Sequence, residues 1–153
     1  MPTNEQLKIY IVEDDNWCSK FLEHQLSLNP DHIVSIFNDS KSLLNALKNN
    51  QPDVITLDYN LPDSNGSTLL KEIKKLCRKC RVIMISGQDD VETAINLIKE
   101  GAYDYIVKNE DTKNRIINIV QHIKENLSLE HELDILRAEV KEKYDFEKKY
   151  HRE

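Results

Sequence analysis

"VITLDYNLPDSNG", Val54 to Gly66, runs from apolar strand formers straight into a carboxylate, then into Asn-Leu-Pro-Asp and a glycine. A buried parallel strand reads as a near-continuous apolar run, because helices cover both of its faces. An acid at the carboxyl end of such a strand stands where open α/β sheets hold their ligands. Asp58 is therefore a candidate reactive group.

On either side of this strand, which is expected over Asp53 to Asp58, the chain repeats the pattern. Leu7 to Val12, His32 to Phe37, Arg81 to Ser86 and Tyr103 to Lys108 are short segments rich in Ile and Val, which predicts five strands in all. Between them lie helical periodicities: Trp17 to Leu28 with Phe21, Leu22 and Leu26; Ser40 to Lys48 with Leu43, Leu44 and Leu47; Leu69 to Leu76; and Val91 to Glu100 with Ala94, Ile95 and Ile98. Asn38-Asp39 precede one helix, Pro62 and Gly66 mark a loop, and Gly101 stands just past the fourth helix. Parallel neighbours need crossover connections, and these are right-handed, so strict alternation predicts a doubly wound α/β domain with a parallel sheet.

From Thr112 onward there is no Gly or Pro, and one long helix or two joined ones are expected. Ile116, Val120, Ile123 and Leu127 suit packing on a sheet. Leu129, Leu133, Leu136 and Val140 then step by four, three and four, the spacing of a coiled-coil seam, until Lys143 and Glu147 interrupt it before Tyr150. A dimer helix is the expectation, and a solvated helical tail the alternative.

The chain has 153 residues, enough for one ordinary domain with a real core plus an extra segment. A net charge of −6 argues against a broad basic face for nucleic acid, so protein partners are expected and direct nucleic-acid binding is not. No apolar run reaches the length of a membrane span and "MPTNEQLK" is no signal peptide, which makes the cytoplasm the expected location and excludes a membrane role. The three cysteines form no regular framework, which fits a reducing compartment. Cys77 and Cys80 make a C-x-x-C, but a zinc site of that type needs a second pair, and all three are expected to be inert thiols. The five histidines are scattered without ligand spacing.

On the predicted sheet, the carboxyl edge collects Glu13, Asp14 and Asp15 after the first strand, Asp58 after the third, Ser86 after the fourth and Lys108 after the fifth. Taken singly, such acids are often helix caps or solvated loop residues. Packed together, they repel one another unless a cation shares the site, and hard oxygen ligands with room for water suit Mg²⁺. A carboxylate beside that ion can attack a phosphoryl group in line while a lysine takes up charge on the phosphoryl oxygens. Asp58 is then the nucleophile, Lys108 the fixed cation, and the Ser86 hydroxyl a donor to the product phosphate. Trp17, beside the acids, is placed to report metal binding by its fluorescence.

The stretches "IYIVEDD", "ITLDYNLPDSNG", "VIMISGQ" and "YDYIVK" resemble the receiver domain of two-component response regulators, and the resemblance covers essentially residues 7 to 125. It implies a flavodoxin-like sheet of order 2-1-3-4-5, metal contacts from Asp14, Asp58 and the backbone carbonyl of Asn60, and Glu13 acting through water. It further implies Asp58 as phosphoacceptor, Ser86 as switch hydroxyl, Tyr105 as switch aromatic, Lys108 as phosphate-binding lysine, and Asn60 and Gln88 as residues that tune phosphoryl lifetime. A sensor histidine kinase is the implied donor. The implied chemistry is that of a self-phosphorylating and autodephosphorylating phosphoacceptor rather than a turnover enzyme. One position departs from the family, which usually carries a cis Lys-Pro where this chain has Lys108-Asn109. A cis bond to a non-proline residue costs roughly 2.5–4 kcal/mol, so a trans peptide is expected here.

The tail "LRAEVKEKYDFEKKYHRE" resembles the linker of nitrogen-regulation-type activators of sigma-54 promoters. Residues 1–125 are thus expected to form the receiver and 126–153 a helical, coiled-coil dimerisation linker. Phosphorylation is expected to control homodimer formation through this helix and the face made by the fourth helix, fifth strand and fifth helix, and so to regulate transcription. The chain holds neither a G-x-x-x-x-G-K-[ST] loop nor a helix-turn-helix after it, so either output domains lie outside it or the protein works alone. The alternatives are a stand-alone receiver or phosphorelay shuttle, a Mg²⁺-dependent hydrolase, and a flavodoxin-like cofactor binder. A haloacid-dehalogenase-type hydrolase would want an Asp where Asn60 stands, and three glycines with no phosphate-cradling loop disfavour the cofactor binder.

Overall fold

The computed structural model describes residues 6–87 and 90–150. The chain divides into two compact units, Met1–Asn118 and Ile119–Glu153. The first contains β1 Leu7–Val12, α1 Asn16–Ser27, β2 His32–Phe37, α2 Ser40–Leu47, β3 Val54–Asp58, α3 Gly66–Leu76, β4 Arg81–Ser86, α4 Val91–Lys99, β5 Asp104–Val107 and the start of α5, Thr112–Tyr150. All strand pairs are parallel and the order is β2-β1-β3-β4-β5, as expected for the doubly wound fold. From β1 the chain passes to β2 on one side and returns to β3 on the other, so the switch point, and with it the binding crevice, lies between β1 and β3.

The inner strands are buried along their length: every residue of β3 is buried, and Ile9, Ile11, Ile55, Leu57, Ile83 and Met84 are fully so. Leu43 and Leu47 of α2, Leu69, Leu70 and Ile73 of α3, and Leu97 of α4 join the core. Each such side chain contributes about 1.5–3 kcal/mol of burial. β2, at the sheet edge, is half-buried except at Ile33, which is exposed. The expected elements recur within a few residues, and capping explains the ends. Asp15, Asp39, Asn65 and Asp90 each accept from a backbone N–H in the first turn of the helix that follows. Gly101, at φ +112°, stops α4 with a conformation that other residues rarely adopt.

α3 begins at Gly66, three residues before the apolar periodicity suggested, because Asn65 Oδ1 accepts from Thr68 N at 2.9 Å and Gly66 N donates to Tyr59 O at 2.7 Å. That backbone contact folds the β3–α3 loop back on itself. Asp63 in the same loop accepts from Ser40 N, Ser40 Oγ and Lys41 N at 2.7–3.2 Å and ties the loop to the start of α2.

The cysteine expectation is corrected for two of the three. Cys77 and Cys80 form a disulfide across the α3–β4 turn, with Cα atoms 5.5 Å apart, and only Cys18 is a free thiol. Extended backbone at Cys77 ends α3, and the two-residue excursion through Arg78 and Lys79 returns Cys80 beside it just before β4. A paired Cys77 and Cys80 do not fit the reducing compartment expected from cysteine usage. The peptide bond between Lys108 and Asn109 is trans, as expected, since no described residue has a cis bond.

In the second unit, α5 leaves Leu129, Leu133, Leu136 and Val140 exposed, with Tyr144 continuing the stripe. No described helix is long and apolar enough to cross a membrane.

A Cβ on Gly66 would lie 3.0 Å from the Tyr59 Cα, and main chain cannot swing aside as a side-chain tip can. Gly66→Ala is expected to destabilise the protein by about 1–3 kcal/mol, measured by urea unfolding, with the loss appearing at unchanged m-value.

Candidate functional site

Strand register assembles the site. β1 and β3 pair Val12 with Leu57, so the next residues, Glu13 just past β1 and Asp58 at the end of β3, stand side by side. β3 and β4 pair Asp58 with Ile85, and β4 and β5 pair Ser86 with Val107, so Ser86 follows one step further along and Lys108 one step beyond that. Lys108 N donates to Ser86 O at 2.7 Å and fixes the start of the last loop.

The consequence is a set of charges in a confined place. Glu13 is 4% exposed and Asp58 7%, whereas Asp14 faces solvent. One oxygen from each of Glu13, Asp14 and Asp58 lies within 4.8 Å of the others, an arrangement that could hold a metal ion. Lys108 Nζ donates to Glu13 Oε1 at 3.0 Å and to Asp58 Oδ2 at 3.4 Å. Asp58 Oδ1 accepts from Asn60 N at 3.3 Å.

Burial, then hydrogen bonding and charge repulsion with Asp58, push the Glu13 carboxyl up to about 8, against the pull of Lys108. Burial by itself would lower the Lys108 ammonium, but its contacts with Glu13 and Asp58 outweigh that and raise its pKa above the ordinary value. The second oxygen of Glu13 is buried without a hydrogen-bond partner. A buried carboxylate oxygen left in that state is costly, and a hard cation is the partner that a cluster of acids fits best.

The expected residues fare differently. Glu13, Asp14, Asp58 and Lys108 come together, Ser86 is buried at the adjoining strand end, and Asn60 sits against Asp58. Asp15 does not join them: its carboxylate accepts from Trp17 N and Cys18 N as the cap of α1, at 2.9 and 3.2 Å. Tyr105 lies in β5, half-buried against the core. Gln88 is outside the described residues.

A cavity of about 260 Å³ opens beside these groups, lined by Glu13, Asp58 and Lys108 together with Trp17, Phe21 and Leu22. Trp17 stacks on Phe21 with ring centroids 5.4 Å apart, yet remains 73% exposed. Two contributors escaped the sequence reading. Thr56, buried two residues before Asp58, lines the cavity, and a polar residue inside an apolar strand was the signal for it. Thr112, at the head of the last helical run, also lines the cavity.

Residues 9–121 match the response regulator receiver domain. Over 133 residues the chain is 29% identical to the DNA-binding transcriptional regulator NtrC of Proteus hauseri, covering 85% of this chain and 28% of that protein. It is 32% identical over 101 residues to the chemotaxis protein CheY of Bacillus subtilis, covering 66% of this chain and 84% of CheY. Among solved structures, NtrX from Brucella abortus superposes with a TM-score of 0.73 at 33% identity, over 85% of this chain and 30% of that one. The chain thus spans less than a third of these two larger regulators.

Trp17 is the sole tryptophan and lines the same cavity as Glu13 and Asp58. Titration with Mg²⁺ is expected to change its emission saturably, and Asp14→Asn to abolish that change while leaving the far-ultraviolet circular dichroism intact.

Proposed function

The chain belongs to the response regulator receiver domain family, and we propose that Asp58 accepts a phosphoryl group from a sensor histidine kinase and thereby switches a transcriptional output. The observation that carries this reading is the lysine bridge: Lys108 Nζ lies 3.0 Å from Glu13 and 3.4 Å from Asp58 in a cluster of three carboxylates. Receiver domains bind Mg²⁺ at an acidic pocket, and Glu13, Asp14, Asp58 and the backbone carbonyl of Asn60 are the groups that would hold it here. When bound, the ion supplies positive charge against the phosphoryl oxygens.

An Asp58 carboxylate oxygen forms a bond to phosphorus as the bond from phosphorus to the kinase's histidine nitrogen breaks. The electron pair stays with the imidazole, which takes a proton from solvent. Lys108 neutralises charge on the transferring group, and the Ser86 hydroxyl donates to the product phosphate. Tyr105 turns inward with it, while Asn60 and Gln88 tune how long the phosphoryl group lasts. Moving a two-state switch from 1:99 to 99:1 takes about 5.5 kcal/mol of differential interaction, so several coupled contacts are needed rather than one.

Residues 1–125 act as the receiver and 126–153 as a helical linker. Phosphorylation promotes homodimer formation through α4, β5 and α5, with the stripe Leu129, Leu133, Leu136 and Val140 forming a coiled coil. Likeness to NtrC and NtrX supports a sigma-54-dependent output, carried by domains beyond this chain in the cytoplasm. The likeness to CheY, most of whose length is covered, favours a second reading in which the receiver acts by protein–protein binding alone.

Incubation with acetyl phosphate and Mg²⁺ is expected to add the mass of one phosphoryl group. Asp58→Asn or EDTA is expected to prevent it. An equal gain in the Asp58→Asn protein would contradict the assignment.

A further inference from the structure

Lys108 reaches the acids although the residue after it is asparagine in a trans peptide. A lysine side chain has four rotatable bonds and loses about 2 kcal/mol of rotamer freedom when held. The direction of its Cα–Cβ bond therefore decides how often Nζ meets its partners, and that direction is set by the two peptide groups that flank it.

Both flanking groups end on one hydroxyl. Asn109 N donates to Thr112 Oγ1 at 2.8 Å, and Thr112 Oγ1 donates to Val107 O at 3.3 Å. The threonine thus accepts from the residue after Lys108 and donates to the residue before it. Asn109 completes the turn: its carbonyl accepts from Thr112 N at 3.2 Å and its side-chain oxygen from Asp111 N at 2.8 Å. A proline at 109 has no N–H to give, so this bridge is available only because the residue there is not proline.

We propose that Thr112 is a positioning residue for Lys108, its hydroxyl bridging Asn109 N–H and Val107 C=O so that the lysine is held toward Glu13 and Asp58. The inference rests on the phosphoacceptor reading for its kinetic consequence, but the lysine's placement has a readout of its own. Thr112→Val keeps the shape and removes both hydrogen bonds, and Thr112→Ser restores the hydroxyl.

The test is a double-mutant cycle on the full chain, following phosphorylation of Asp58 by acetyl phosphate with Mg²⁺ by intact mass. Displacement of a reacting group by a fraction of an ångström to an ångström costs on the order of ten- to a hundredfold in rate, so Thr112→Val is expected to slow the reaction about tenfold. Thr112→Ser should remain within about twofold of the native rate. In a Lys108→Met background, Thr112→Val should add nothing. A loss of the same size in that background, or no loss with Lys108 present, would overturn the proposal, because Thr112 would then act through general structure or not at all. In parallel, the ε-methylene NMR signals of Lys108 should move toward those of the exposed lysines in Thr112→Val and stay in place in Thr112→Ser. Should the native protein take up no phosphoryl group, the phosphoacceptor reading fails by itself. The NMR shifts then still decide the placement: an unmoved Lys108 signal in Thr112→Val overturns it, and a moved one supports it.

Discussion

The structure turns on one ammonium group held between two buried carboxylates. Lys108 Nζ contacts Glu13 and Asp58 at the point where three strand ends converge, and without a cation there the acids would oppose one another in a poorly solvated place. One lysine does not balance the cluster. Burial and Asp58 still push the Glu13 carboxyl up to about 8, and one of its oxygens has no hydrogen-bond partner. A site left short of positive charge in this way suits a divalent cation and, after it, an anionic group that brings its own oxygens.

The rest of the fold serves to hold that imbalance in place. Five parallel strands fix the spacing of the strand ends, and the doubly wound order puts β1 beside β3 so that acids distant in sequence become neighbours. The β3–α3 loop is pinned by Gly66 against Tyr59 and by Asp63 against α2, which keeps backbone near Asp58 from wandering. The β5–α5 turn is likewise pinned by Asn109 and Thr112. Rigid walls around a charged centre are what a site needs if a change of charge there is to be transmitted to packed elements rather than dissipated in loop motion.

Much of this was legible in the residues. Ile- and Val-rich runs ending in Glu13, Asp58, Ser86 and Lys108 specify the strands and their common edge, because apolar runs and crossover handedness leave few other arrangements. The start of α3 was missed by three residues, since a capping Asn and a sterically required Gly carry no apolar period. Asp15 looked like a member of the acid cluster because sequence order cannot distinguish a ligand from a helix cap. The bond between Cys77 and Cys80 escaped because pairing depends on where the turn returns the chain, not on the count of cysteines. Thr112 escaped for a similar reason: its two partners are backbone groups, which leave no mark in side-chain patterns.

The central claim is that Asp58, and no other carboxylate in the cluster, forms the acyl phosphate. Borohydride reduces an aspartyl phosphate to the alcohol with release of phosphate, so the residue becomes homoserine. Peptide mapping after acetyl phosphate, Mg²⁺ and borohydride treatment should find homoserine at position 58 alone. Homoserine at position 14 or 15, or phosphate retained on a serine or histidine with position 58 unmodified, would contradict the account.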